Sequence, residues 1–277
     1  MILLIDIGNS RIKIGLCKNP NIRNNINVFY CENINRVSSV LEKIDQFVFD
    51  TVLISSVVPE INAKITQIVK DNLSITPTFI NSDLITGIKF NYSPISDIGP
   101  DRIADCVAAN NNYDKDKFKI VVDFGTATVF EVISNKSEFL GGSIFPGLEV
   151  ASKALASRAS LLNEINFDNW SSDQKVVGNT TEEALKSSIY WGYISLTEGI
   201  IKRITKELRI NKEECIIIGT GGFAEIINNQ IPIFDKIDQN LTLDGMRIIY
   251  NLNKKQCIII GTGGFAEIIN GQIPIFD

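Results

Sequence analysis

Apolar runs alternate with short polar turns along the chain, and the lengths of these runs predict a mixed α/β protein. The first part opens with three strand-like runs, followed by a helix, another strand and a second helix that begins at Pro59. A polar loop from Asn81 to Gly99 leads to a helix that begins at Pro100, a residue type favoured in the first helical turn. The predicted elements are strands at 1–7, 11–17, 26–30, 51–55 and 77–80, and helices near 35–46, from 59 and from 100 to about 112.

A second set of elements follows the polar stretch from Asn110 to Lys117, where we place a domain boundary after residue 114. Thr180-x-x-Glu183 is a capping box that predicts the start of a long helix. A buried strand, a glycine-rich turn and a closing helix at Leu241–Asn251 complete this part. The predicted domains are therefore 1–114 and 115–251. The other predicted elements of the second domain are strands at 118–123, 127–133, 138–145 and 215–218 and a helix at 149–157.

The end of the chain repeats an earlier segment. Residues 215–235 recur as 257–277, and the two copies differ only where Asn229 becomes Gly271. Two near-identical copies indicate a recent duplication rather than a repeat array with diverged ends. We interpret 252–277 as an appendage, because the first copy already fills its strand position. An added edge strand and an element exchanged between subunits are the alternatives.

Composition and charge remove several classes of function. The 277 residues carry a net charge of −5 with dispersed Lys and Arg, which argues against nucleic-acid binding. The chain has no histidine, which excludes a Ser-His-Asp triad, a Cys-His pair and histidine-ligated zinc. The N-terminus lacks the basic region of a signal peptide, and no apolar run has the length of a membrane span. With five cysteines and no CxxC spacing, we expect reduced, mostly buried thiols and a cytoplasmic location.

Two short segments carry the candidate chemistry, Asp6-Ile7-Gly8-Asn9-Ser10 and Asp123-Phe124-Gly125-Thr126-Ala127-Thr128. Each lies between two strand-like runs, so each predicts a strand, a tight turn and a returning strand. Glycine lets backbone N–H groups approach a ligand, and a carboxylate at such a turn suits a metal ion that bridges to phosphate oxygens. The pair indicates two related domains that hold a nucleotide between them, as in actin-like phosphotransferases.

Each candidate residue also has a purely structural interpretation. Asp6 could satisfy N–H groups of its own turn, and Asp101 could be an acid favoured at a helix N-terminus. Arg102 could be solvated, Tyr92 could be a packing residue, and Thr180 is a good N-cap.

Six motifs, in order and from residue 1 to about 251, resemble those of type III pantothenate kinases, a family of the acetate kinase/sugar kinase/Hsp70/actin superfamily. The motifs are the two turns above, Gly99-Pro100-Asp101-Arg102, Gly141-Gly142-x-Ile144-x-Pro146-Gly147, Gly178-Asn179-Thr180 and Gly219-Thr220-Gly221-Gly222. The chain departs from the pattern at Ser10, Val129, Glu131 and Ser188. The resemblance implies two ribonuclease-H-like domains with a nucleotide cleft between them, and ATP-dependent phosphorylation of pantothenate.

The resemblance also implies roles for individual residues. Asp101 matches the base that takes the proton of the pantothenate hydroxyl, and Asp123 matches a ligand of a monovalent cation, K⁺ or NH₄⁺. ATP, with Mg²⁺, is implied to contact Asp6, Ile7, Gly8, Asn9, Ser10, Arg11, Ile12, Lys13 and Thr126. Pantothenate is implied to contact Tyr92, Gly99, Pro100, Asp101, Arg102 and Thr180, and the turn Gly219–Gly222 to face adenosine. A homodimer is implied, with the second subunit closing part of the pantothenate pocket.

Two other functions remain open from the sequence. One is phosphorylation of a different small molecule by the same kind of fold. The other is a non-enzymatic accessory role in transcription. The acidic charge balance and the intact pair Asp101-Arg102 argue against the second.

Overall fold

A computed structural model describes residues 1–159, 162–165, 167 and 175–254, and the repeated segment 257–277 lies outside the described residues. The chain forms two compact units. Unit 1 comprises Met1–Gly87, Ser93–Ala108 and the described residues from Thr242 onward, and unit 2 comprises Ile88–Tyr92 and Ala109–Leu241. Each unit contains one mixed sheet with helices, which confirms the predicted α/β class. No helix in the described part of the chain is long and apolar enough to cross a membrane.

Unit 1 is built on a five-stranded sheet in the order β3-β2-β1-β4-β5. Strand β1 pairs antiparallel with β2 and parallel with β4, and its residues Leu3, Ile5 and Ile7 are fully buried in the core of this unit. Its elements are β1 (Ile2–Ile7), β2 (Ile12–Cys17), β3 (Ile26–Cys31), α1 (Val37–Leu41), β4 (Thr51–Ser56), α2 (Asn62–Leu73), β5 (Thr78–Phe79) and the first part of α3 (Pro100–Asn112).

Unit 2 is built on a six-stranded sheet in the order β11-β10-β7-β8-β9-β6. Its central strand β7 pairs antiparallel with β8 and parallel with β10. The long helix α5 contributes Ile189, Tyr190 and Ile194 to the core over this sheet. The elements are β6 (Lys89–Phe90), β7 (Phe118–Phe124), β8 (Ala127–Ile133), β9 (Glu138–Pro146), α4 (Leu148–Arg158), α5 (Thr181–Leu208), β10 (Cys215–Gly221), α6 (Ala224–Gln230) and β11 (Lys236–Ile237).

The closing helix α7 (Leu241–Lys254) lies with unit 1, whereas the sequence analysis assigned it to the second domain. Gly245 packs so closely on α3 that a Cβ there would overlap the carbonyl of Ala104. The Arg247 side chain donates to the carbonyl oxygen of Pro20 over 2.6 Å. Asn253 accepts from the N–H of Ile85 over 3.1 Å and donates to its carbonyl over 3.0 Å. The helix therefore continues beyond residue 251 and includes the first residues of the predicted tail.

Other differences from the prediction are local. The helix expected near 35–46 is three short turns, two of them 3₁₀, and a 3₁₀ turn at Pro59–Ile61 precedes α2. Strands β6 and β11 have two residues each, which is too short for a periodic pattern. The four described cysteines, Cys17, Cys31, Cys106 and Cys215, are buried and free, as expected.

Candidate functional site

The segment Asp6–Ser10, here named the first phosphate turn after its predicted ligand, connects β1 to β2 in unit 1. The N–H of Gly8 donates to the carbonyl of Arg11 over 3.1 Å and closes the turn, while Asn9 and Ser10 are exposed at its tip. The Arg11 guanidinium carbon lies 6.0 Å from the centre of the Tyr30 ring on β3. The turn thus presents backbone donors, short polar side chains and a cation to solvent, a combination suited to phosphate oxygens.

Asp6 lies at the end of β1, just before this turn, and is partly buried. It pairs in register with Lys13 on β2 and with Ser55 on β4, and the Ser55 hydroxyl donates to Asp6 Oδ1 over 3.0 Å. Burial raises the pKa of Asp6 from 3.8 to about 6, against the opposing effect of the Lys13 charge. The charge of Asp101 also raises this pKa. Asp6 is therefore a carboxylate whose ionisation responds to nearby charges.

Asp101 lies in the first turn of α3, and its side chain folds back to the helix N-terminus. Its Oδ1 accepts from the N–H of Arg102 over 2.8 Å. A Cβ on Gly99 would lie 2.5 Å from the same oxygen, so the missing side chain makes room for the carboxylate. Burial raises the pKa of Asp101, while the N–H and charge of Arg102 and the charge of Lys13 oppose this.

Asp6, Lys13 and Asp101 therefore form one electrostatic group in unit 1. Lys13 lowers the pKa of both carboxyl groups, and Asp101 raises that of Asp6. Asp6 and Asp101 belong to separate sequence motifs, and the structure brings the two into electrostatic contact. A group of two carboxylates and one cation can bind a metal–phosphate complex and accept a proton from a nearby hydroxyl.

The segment Asp123–Thr128, here named the second phosphate turn, connects β7 to β8 in unit 2. The N–H of Gly125 donates to the carbonyl of Ala127 over 3.0 Å, and the N–H of Gly147 donates to the carbonyl of Thr126 over 2.9 Å. A Cβ on Gly147 would collide with the carbonyl oxygens of Gly125 and Thr126. Glycine at position 147 therefore allows the chain after β9 to pack directly on the turn.

Asp123 lies at the end of β7, at the mouth of the second turn. It is opposite Thr220 in the parallel pairing of β7 with β10 and opposite Val129 in the antiparallel pairing with β8. Glycines flank its carboxylate, because a Cβ on Gly221 would lie 2.5 Å from Oδ1 and one on Gly125 would lie 3.4 Å from Oδ2. Carboxylate and carbonyl oxygens are the ligands that hard cations prefer.

Tyr92 and Thr180, two predicted pantothenate contacts, belong to unit 2. The Tyr92 ring lies 5.8 Å from that of Phe139, and 36% of the residue is exposed. The Thr180 hydroxyl accepts from the N–H of Glu183 over 3.2 Å, so it is the N-cap of α5. The carboxylate of Glu183 accepts from the N–H of Asn179 over 2.7 Å. Both residues therefore have packing or capping roles, and both keep surface that a ligand can contact.

Ser55 is a site residue that sequence analysis missed. The polar pair Ser55-Ser56 at the end of an otherwise apolar strand was the available signal. The contact with Asp6 follows only when β4 is placed parallel to β1, and the sequence does not determine that pairing. Among the described residues, no group of three or more Cys, Asp and Glu side chains could hold a metal ion. A metal at either turn would therefore need oxygen ligands from backbone carbonyls, phosphate or water as well as from one aspartate.

Comparisons with known proteins identify the family of this chain. The family model of type III pantothenate kinases matches residues 2–203. A type III pantothenate kinase of Pelobacter propionicus is 33% identical over 259 residues, which cover 90% of this chain and 98% of the relative.

Solved structures show the same fold at lower identity. An activator of 2-hydroxyisocaproyl-CoA dehydratase from Clostridium difficile, with bound ADPNP, matches with a TM-score of 0.52 and 12% identity, covering 95% of this chain and 99% of that one. A conserved Campylobacter jejuni protein assigned to the Baf family of transcriptional activators matches with a TM-score of 0.54 and 19% identity, covering 91% and 99%. With its sequence matched by the family model and by a relative over nearly its full length, the chain belongs to the type III pantothenate kinase family.

Proposed function

We propose that Asp101 is the base, Asp6 the phosphate-side carboxylate and Asp123 the cation ligand of the family's reaction in this chain. That reaction is the ATP-dependent phosphorylation of pantothenate to 4′-phosphopantothenate, the first step of coenzyme A synthesis. The pantothenate hydroxyl oxygen bonds to the γ-phosphorus of ATP, the bond between that phosphorus and the β–γ bridging oxygen breaks, and ADP leaves. The hydroxyl proton goes to the base.

The electrostatic group in unit 1 carries this proposal. Asp101 Oδ1 already accepts one N–H bond, and a carboxylate can accept several hydrogen bonds, so a substrate hydroxyl can bind as well. Burial raises the pKa of Asp101 above its ordinary value, which makes it a better base than an exposed aspartate. In a loose transition state, orienting the hydroxyl and accepting its proton late are sufficient.

Asp6 is proposed to act on the phosphate side, with a Mg²⁺ ion bound to ATP. A Mg²⁺ ion supplies charge neutralisation for the transferring phosphoryl group. Burial disfavours the ionised Asp6 in the free protein, and a nearby cation favours it. Lys13 and the turn residues Ile7, Gly8, Asn9, Ser10, Arg11 and Ile12 are proposed to complete the ATP contacts from unit 1.

The second turn is proposed to bind a monovalent cation through Asp123 and to contact ATP through Thr126. The glycines on both sides of the Asp123 carboxylate leave it against bare backbone, and Thr126 is exposed at the tip of the turn. K⁺ and NH₄⁺ are the candidate ions.

Pantothenate is proposed to contact Gly99, Pro100, Asp101 and Arg102 at the start of α3, together with Tyr92 and Thr180. Arg102 offers a guanidinium group, and the pantothenate carboxylate is a matching anion. Thr180 can cap α5 and still donate its hydroxyl hydrogen to a ligand.

We further propose a cytoplasmic homodimer that binds neither nucleic acid nor membranes. Four large apolar side chains of unit 2 are exposed on β9 and α4, with Ile144 at 58%, Leu155 at 42%, Val150 at 39% and Leu140 at 38%. We take these side chains as candidates for a surface that a second subunit covers. The net charge of −5 gives little attraction for phosphate backbones or anionic lipids.

A coupled assay of ATP turnover, with and without pantothenate and in KCl or NaCl, tests the proposal. We expect turnover that requires pantothenate and is faster in KCl. Other small alcohols serve as control acceptors, and faster turnover with one of them would contradict the substrate. Equal rates in both salts would contradict the cation assignment alone.

A further inference from the structure

Gly221, at the end of β10 and next to the second phosphate turn, has an unusual backbone conformation. Its φ is +84°, which L-residues with a side chain rarely adopt. A Cβ at this position would lie 2.5 Å from Asp123 Oδ1 and 2.6 Å from the carbonyl oxygen of Phe124. Any side chain at position 221 would therefore occupy space that the Asp123 carboxylate now fills.

The contact follows from the pairing of two parallel strands. Gly221 on β10 is in register with Phe124 on β7, and Thr220 is in register with Asp123. The N–H of Gly222 donates to the carbonyl of Phe124 over 3.1 Å and fixes the end of β10 against the start of the second turn. The carboxylate of Asp123 thus lies against the Cα of Gly221.

Gly125 lies beside the other oxygen of the same carboxylate, because a Cβ there would lie 3.4 Å from Oδ2, an ordinary van der Waals contact. The two oxygens of one aspartate therefore each face a glycine, one from the turn itself and one from the neighbouring strand. We propose that Gly221 is a positioning residue that holds the Asp123 carboxylate in the orientation needed to bind the monovalent cation. This inference rests on the proposed role of Asp123.

The sequence suggested a different reason for glycine at this position. The turn Gly219–Gly222 resembles a turn that faces adenosine, where bare backbone leaves space for the nucleotide. Gly222 fits that interpretation, because a Cβ there would meet nothing within 4 Å in the protein. Gly221 does not fit it, because its Cβ position is taken by Asp123 and Phe124. Two adjacent glycines thus have separable roles.

The test compares Gly221→Ala with Gly222→Ala. Activity is measured against K⁺ concentration at saturating ATP and pantothenate. We expect Gly221→Ala to raise the K⁺ concentration for half-maximal activity about tenfold or more, the size seen when groups that orient metal ligands are changed. We expect Gly222→Ala to leave that concentration unchanged, whatever it does to the KM for ATP. Equal K⁺ dependence in Gly221→Ala and wild type would overturn the inference.

Cation binding is also measured without catalysis, from the rise in Tm when NaCl is replaced by KCl. A wild-type rise that Gly221→Ala loses and Gly222→Ala keeps supports the positioning role. A wild-type protein with no response to K⁺ in Tm or activity overturns the cation role of Asp123, and the positioning role with it. A wild-type response that Gly221→Ala shares overturns the positioning role alone.

Gly221→Ala also strains the backbone, so a second variant covers failure to fold. Asp123→Ala in the same chain removes one of the two groups that the new methyl group would meet, while the Phe124 carbonyl and the positive φ remain in both variants. We expect the double variant to unfold at a higher temperature than Gly221→Ala, or to recover cooperative unfolding if that variant has none. A double variant no more stable than Gly221→Ala, with Asp123→Ala itself folded, would overturn the inference.

Discussion

The two phosphate turns have the same sequence pattern, but their aspartates are held by different means. Asp6 accepts a hydroxyl hydrogen bond from Ser55 and lies opposite Lys13, and the charge of Asp101 acts on it. The carboxylate of Asp123 lies against bare backbone at two glycines. The surroundings of the first turn therefore adjust the charge of its aspartate, and the second turn leaves room for its carboxylate at two glycines.

This difference matches the two proposed ligands. A magnesium–phosphate complex carries high charge, so the ionisation of the carboxylate that meets it matters most. A monovalent cation is bound weakly, so its affinity depends on ligand oxygens that are already correctly placed. The following predictions test whether charge governs unit 1 and geometry governs unit 2.

Replacing Asp101 should have the largest effect. Asp101→Asn keeps the shape of the side chain but removes the base, so we expect kcat to fall by about 100-fold or more. Circular dichroism and Tm provide the folding control. Near-normal turnover by a folded Asp101→Asn protein would remove Asp101 from the chemical step.

Replacing Asp123 should abolish a K⁺ dependence of activity that replacing Asp6 leaves in place. We expect Asp123→Ala to lose the difference in activity between KCl and NaCl, with a fall in kcat of about tenfold. Asp6→Asn is the matched variant in the other turn and should retain a K⁺ preference in its residual activity. If Asp123→Ala still prefers K⁺, the cation binds elsewhere.

The ionised form of Asp6 should lower the free energy of unfolding at neutral pH. Its pKa of about 6 in the folded protein exceeds the ordinary 3.8, so the folded state holds the proton more tightly. The stabilisation from this protonation is complete below about pH 4 and is lost as the pH rises through 6. Asp6→Asn has no charge to bury, so we expect it to gain about 1–3 kcal/mol over wild type at pH 8.

Urea unfolding of Asp6→Asn and wild type at pH 4 and pH 8 measures this effect. The gain from the substitution should be larger at pH 8. A larger gain at pH 4 would show that folding stabilises the ionised form of Asp6, as a salt bridge to a cation does.

Shortening helix α7 should lower the stability of unit 1. A chain ending at Lys254 keeps Asn253 and its two hydrogen bonds to Ile85, whereas a chain ending at Asn251 loses them. Each hydrogen bond contributes about 1 kcal/mol, so we expect the shorter chain to be less stable by about 1–3 kcal/mol. The chain ending at Lys254 should match the full chain in Tm and turnover. Equal Tm values for the two truncations would contradict a role for Asn253.

Much of this fold follows from the sequence, because alternating apolar runs determine where strands begin and end. The turns at Asp6 and Asp123 follow for the same reason. The position of α7 does not follow, because a helical pattern shows which face is buried but not which partner buries it. The close contact of Gly245 with Ala104 is what places the helix on unit 1. The role proposed for Gly221 also requires the register of β10 with β7.

The position of α7 also bears on the order in which the protein can fold during synthesis. Domains usually fold in order from the N-terminus as the ribosome releases them. Here the first unit to emerge needs α7, which follows residue 240, before Gly245 can pack against α3 and Arg247 can reach Pro20. Unit 2 is complete at Leu241. The nascent chain can therefore complete unit 2 first, because unit 1 cannot complete its packing until α7 has been synthesised.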